Sequence, residues 1–123
     1  MKFVNIDVDE HGHSFFKDID LPQYGSPQRI SSKNQNVLWW KMSVSQPGHT
    51  IDFAKAPDLL FVAVFSGQMD ITVSNGETRQ FARGDMVTMW DTTGQGHMVR
   101  FGGDEACKVL YIALPDKGEF KNL

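Results

Sequence analysis

The chain has 123 residues, 41% of them hydrophobic, 22% charged and 11% aromatic, which fits one globular domain and argues against a disordered or fibrous segment. Twelve Lys and Arg against fifteen Asp and Glu give a formal charge of −3. The basic residues are scattered singly, so no stripe exists to attract a nucleic-acid backbone, and no nucleic-acid partner is expected.

The first sixteen residues carry one Lys but no apolar stretch and no small-residue cleavage site, so a secretory signal is not expected. Residues 1–36, broken by Pro22, Gly25 and Pro27, read as an N-terminal arm with an edge strand near Phe3 to Val8. Such an arm would cover the main domain or cross to a partner subunit. From residue 37 to residue 123 the chain reads as a single domain of short strands separated by turn signals. "VLWWKMSV" (37–44) alternates, with Leu38, Trp40, Met42 and Val44 on one face and Trp39, Lys41 and Ser43 on the other. Trp39 and Trp40 must point in opposite directions, so one of them lines the interior.

After "QPG" (46–48) come the strands "HTIDFA" (49–54) and "LLFVAVF" (59–65), the second apolar on both faces. That run is the longest apolar stretch and falls far short of the roughly 18 residues of a membrane span, so no membrane partner is expected. "QMDITVS" follows, and "SNGE" (74–77) marks a hairpin, since Asn-Gly tolerates the positive φ angles of a two-residue type I′ turn. Strands at 78–81 and 86–90 lead to "DTTGQG" (91–96), which delivers His97 onto the strand "HMVRF" (97–101). The last strand, "CKVLYIALP" (107–115), holds the only cysteine; a lone Cys107 excludes an internal disulfide and suits the reducing cytoplasm. About eight strands, Gly-rich turns and no helical repeat predict an all-β barrel or two-sheet jelly roll.

Residues 47–101, from "PGHTIDF" through "SGQMDITVSNGETRQFARGD" to "DTTGQGH", resemble the core of a cupin, with its elements in cupin order. The wording is similar to that of small single-domain cupins without an assigned function. The resemblance implies a double-stranded β-helix, the cupin jelly-roll barrel, commonly a homodimer. It also implies a metal site, whose histidine pair falls at Ala54 and Ala56, or at Phe53 and Lys55 in a register shifted by one. The glutamate position falls at Leu60, and only the second motif's histidine matches, at His97; Trp90 stands where a proline is usual. One imidazole does not hold a catalytic divalent ion, so no metal or other cofactor is expected.

The candidate site is therefore a pocket for a small, partly apolar molecule. His97 is its candidate catalytic group, because imidazole transfers protons around neutrality. Asp52 is expected to share the inward face of Ala54 and orient His97 or the ligand, while Trp39 or Trp40 and Leu60 pack against the ligand. His11 and His13 read as a solvated turn near Asp7, Asp9 and Glu10, and His49 as an exposed residue at the domain's end. Three functions remain open: metal-independent isomerisation or elimination through His97; a non-catalytic metabolite-binding or sensing module; and a metal-dependent oxygenase or lyase that recruits Asp52, His49 or the N-terminal pair beside His97.

Overall fold

The computed structural model describes all residues from Met1 to Leu123 and contains strands only. Thirteen strands run in chain order: β1 (Lys2–Val8), β2 (Ser14–Asp20), β3 (Tyr24–Ser26), β4 (Arg29–Ser31), β5 (Trp39–Ser45), β6 (Thr50–Ala54), β7 (Leu59–Val64), β8 (Gln68–Val73), β9 (Thr78–Ala82), β10 (Met86–Met89), β11 (His97–Gly102), β12 (Cys107–Leu114) and β13 (Lys121–Asn122). Seven of them form one sheet in the order β13-β2-β1-β10-β7-β12-β5, and β6-β11-β8-β9 form a second; β3 and β4 make a separate exposed hairpin. The two larger sheets face each other as an all-β jelly roll, with no hydrogen-bonded seam closing them into a barrel.

Alternation explains the core. On β8, Met69, Ile71 and Val73 point inward and are buried, as are Val62 and Val64 on β7 and Val99 and Phe101 on β11. Together with Ile6, Phe16, Phe81, Val87 and Val109 they fill the space between the sheets. Each such side chain contributes about 1.5–3 kcal/mol by leaving water.

The apolar outer face of β7 has its own cause. Phe61 packs edge-on against Phe3 (5.4 Å between ring centres), and Phe3 and Trp90 meet Phe120 at 5.6 Å each. The C-terminal segment thus covers part of the outer surface of the large sheet with a second cluster that includes Ile19, Leu21 and Leu114.

Two sequence expectations need correction. The strand expected at an edge near Phe3–Val8 is interior: β1 lies between β2 and β10, antiparallel to the first and parallel to the second. Residues 1–36 therefore supply two full strands of the large sheet, and β2 escapes a simple alternation because Phe16 enters the main core while Ile19 enters the outer one. The turn after β8 also differs from a type I′ hairpin. Asn75 keeps a negative φ and only Gly76 (φ 99°) is left-handed. The loop is one residue longer, closed by Gly76 N–H to the Val73 carbonyl and Val73 N–H to the Glu77 carbonyl.

Candidate functional site

At the end of the sandwich where β5 and β6 are edge strands, the sheets part around a cavity of about 230 Å³. Its floor is apolar: Leu60, Met89 and Val99, with Ala54 and Ala56 beside them. The inward face of β5 supplies one wall, Trp39, Lys41, Ser43 and Ser45, and Tyr111 of β12 stands next to it. His97 closes the inner end, nearly buried.

His97 arrives there through tightly built backbone. Gly96 (φ 76°) turns the chain immediately before it, and a side chain on Gly96 would overlap the Ala54 carbonyl group. The Gly96 carbonyl accepts a hydrogen bond from the Ser14 hydroxyl (2.7 Å), and Gln95 N–H donates to the Gly12 carbonyl (2.9 Å). The β1–β2 turn therefore braces the loop that carries the histidine. Within that turn, Asp9 accepts the backbone N–H groups of His11 and His13, both at 2.9 Å. The bond from His13 holds the Asp9 carboxyl below its ordinary range. His11 and His13 are thus part of a turn, away from the cavity, and His49 stacks on Phe101 (6.0 Å, 16°) outside it.

The partner of His97 is Asp91, a residue that sequence reasoning did not assign. Its Oδ2 lies 2.6 Å from His97 Nδ1, and Asp91 is completely enclosed. A carboxylate only accepts, so with the ring neutral the bond to Asp91 requires the hydrogen on Nδ1 and leaves a lone pair on Nε2. Nε2 makes no hydrogen bond within the chain, and His97 is one of the residues that line the cavity. Asp91 Oδ1, by contrast, is buried without any partner, so the imidazole is the only side chain that offsets this carboxylate. A spacing of six residues across a Gly-rich loop is a weak signal, and no strand alternation links the two positions.

The structure separates the other expected site residues. Trp39 and Leu60 line the cavity, and Trp39 Nε1–H donates to Asp58 Oδ2 at 3.1 Å. Trp40 does not line it: it is 66% exposed on the outer face. The alternation of β5 is real but inverted, because an edge strand beside a cavity turns its polar face inward.

Asp52 does not reach His97 either. It is exposed, and its Oδ1 accepts the neighbouring Phe53 N–H at 2.8 Å. Between the pairs His97↔Ala54 and Val99↔Ile51, β6 has one residue more than β11. This bulge puts Ile51 and Ala54 on the cavity side and breaks the alternation that would have aimed Asp52 inward.

Of the ligand positions that the cupin resemblance implies in its two registers, Ala54, Lys55, Ala56, Leu60 and His97 line the cavity and Phe53 does not. The donors do not fit a divalent ion, because three of these five side chains are hydrocarbon and a fourth is a lysine. No three His, Cys, Asp or Glu side chains converge anywhere in the chain to hold one. Near the cavity, burial pushes the Tyr111 phenol above its ordinary value, so it stays neutral as a hydrogen-bonding group. Burial likewise raises the Cys107 thiol, which lies in the core.

No family model matches the chain, and no curated protein matches it in sequence. Among solved structures it is similar to the conserved protein SPY1581 of unknown function from Streptococcus pyogenes, with 22% identity over 69% of this chain and 71% of that one and a TM-score of 0.50. BH2720 from Bacillus halodurans (16% identity, 68% and 67% covered) and the capsular polysaccharide assembling protein CapF from Staphylococcus aureus (17% identity) both match at 0.48. The match to CapF takes in 98% of this chain but 31% of that protein. The likeness to SPY1581 is one of fold. No helix of the chain is long and apolar enough to cross a membrane.

Proposed function

We propose that this chain is a cupin-type pocket protein that performs metal-independent acid/base chemistry on a small organic molecule, of the isomerase or lyase kind, in the reducing cytoplasm. The observation that carries the reading is the 2.6 Å bond between Asp91 and His97 at the end of a cavity, with Nε2 free. Nε2 takes a proton from an acidic C–H, and Asp91 stabilises the imidazolium that forms. The electron pair left on carbon either shifts along a conjugated system, with the proton returned at another carbon, or expels a leaving group that accepts the proton.

The test is solvent exchange. Small ketones and oxo acids are incubated with the protein in deuterated water, and loss of the α C–H signal is followed by proton NMR. At least one compound is expected to exchange roughly 100-fold faster than in buffer. Asp91→Asn should slow that exchange at least about tenfold and His97→Gln should abolish it. Exchange at the buffer rate for every compound, with ligand binding retained, would make the chain a non-catalytic binding or sensing module instead.

We further propose that the chain is a homodimer through the outer face of β5 and β12. Trp40, Met42 and Val44 stand exposed there beside Leu110, Ile112 and Val37, next to the unpaired edge of β5. An apolar edge strand left uncovered promotes uncontrolled association, and a twofold contact between two copies covers both edges at once. Analytical ultracentrifugation should give twice the chain mass at micromolar concentration, and Trp40→Glu should give the monomer with its cavity intact. A monomeric parent protein would contradict the proposal.

A further inference from the structure

We propose that the cavity takes a small organic anion with a planar or apolar body, its carboxylate held by Lys41 at the mouth with Lys55 beside it. The inference rests on the reading of this cavity as the ligand site, but not on His97 acting as a base.

Charge segregation is the first observation. The chain holds more acids than bases, fifteen against twelve, yet no carboxylate lines the cavity, while Lys41 and Lys55 do. Neither lysine has a carboxylate within ion-pair distance, although Lys2, Lys33 and Arg79 each have one. Three acids adjoin the lining residues, and each accepts a hydrogen bond elsewhere: Asp52 from the Phe53 N–H, Asp58 from the Trp39 indole N–H and Asp91 from His97. A positive charge left without a counter-ion at a cavity mouth attracts an anion from solution.

The second observation is the placement of Lys41. Its Nζ sits 5.5 Å from the centre of the Tyr111 ring and 5.9 Å from that of Trp39. The two rings hold the ammonium by cation–π attraction without neutralising it, and they leave its N–H donors available. Ser43 and Ser45 follow at alternate positions on the same inward face of β5, each offering a hydroxyl.

The apolar floor completes the selection. Leu60, Met89 and Val99 offer no hydrogen bond, so the part of the ligand that reaches past the lysines toward His97 must be apolar or planar. A free phosphate or a highly hydroxylated sugar would leave polar groups unpaired against these side chains, at a cost that a carboxylate on a hydrocarbon or aromatic body avoids.

Benzoate and benzamide, equal in shape and different in charge, are the probes. Binding is followed in two-dimensional NMR through the Trp39 indole N–H and the Ala54 and Ala56 amides. Benzoate is expected to bind at least about tenfold more tightly than benzamide and to weaken as salt is added. Lys41→Met, checked for an otherwise unchanged amide spectrum, should bring the two probes to equal affinity, and Lys55→Met should narrow the gap. Equal affinities in the parent protein, no shift with either probe up to millimolar concentration, or a preference that survives both lysine substitutions together would overturn the proposal. His97→Gln separates the two readings. A benzoate preference that persists in it, when no proton exchange is found in the parent protein, means that the anion site stands and only the base is lost.

Discussion

His97→Ala is expected to lower the unfolding free energy by about 3–5 kcal/mol, far more than the loss of one side chain at a cavity wall would cost by packing alone. The reason is Asp91. Its carboxylate is fully enclosed, one oxygen already lacks a partner, and His97 is all that offsets the other. Removing the imidazole leaves a buried charge with nothing to stabilise it, and that penalty exceeds the value of the pair itself. The double variant His97→Leu with Asp91→Leu removes charge and partner together and should recover most of the loss. Urea denaturation of the two variants measures this. A loss below about 1 kcal/mol for His97→Ala would mean that the carboxylate is satisfied some other way.

The second large effect concerns the loop that aims His97. Gly96→Ala is expected to cost about 3–4 kcal/mol, and Gly76→Ala only about 1 kcal/mol, although both glycines are left-handed. At Gly76 (φ 99°) a methyl group meets nothing within 4 Å, so only the backbone preference is lost. At Gly96 (φ 76°) the methyl overlaps the Ala54 carbonyl and lies 2.6 Å from the Lys55 nitrogen, both of them backbone that forms the cavity rim. The chain must then shift at the point where β11 pairs with β6, and His97 shifts with it. Thermal denaturation of the two variants side by side is the check, and equal costs would show that the close approach at Gly96 is not limiting.

These two effects also mark what the sequence could and could not convey. From residue 37 onward the eight expected strands lie within a residue or two of their expected positions, helped by the strict inside–outside alternation of β7, β8 and β11, while the short β13 was not expected. Ala54, Ala56, Leu60 and His97, positions that the cupin resemblance singles out, line one cavity, whereas the alternation of β5 left open which of Trp39 and Trp40 faces inward, and it is Trp39.

Three physical causes hid the rest. A one-residue bulge in β6 turned Asp52 outward, and bulges carry no reliable sequence mark. The bare outer face of β5 reversed the usual rule that the apolar side faces the core, which exposed Trp40 and put Lys41 at the cavity. Asp91 lies in a loop whose course is set by Gly94, Gly96 and the distant β1–β2 turn, so its approach to His97 depends on tertiary contacts that no local period encodes. Residues 1–36 were under-read for the same reason: β2 is divided between two cores and shows a clean pattern toward neither.

The claim on which the functional reading depends is that Asp91 fixes His97 with its hydrogen on Nδ1 and its lone pair on Nε2, facing the cavity. Nitrogen-15 NMR of the imidazole, correlated to its ring protons, reads this directly at a pH where the ring is neutral. Nδ1 is expected at the shift of a protonated nitrogen and Nε2 at that of a bare one, with Asp91→Asn moving the ring toward a mixture of tautomers. A parent protein whose His97 carries its hydrogen on Nε2, or averages freely between the two nitrogens, would contradict the account.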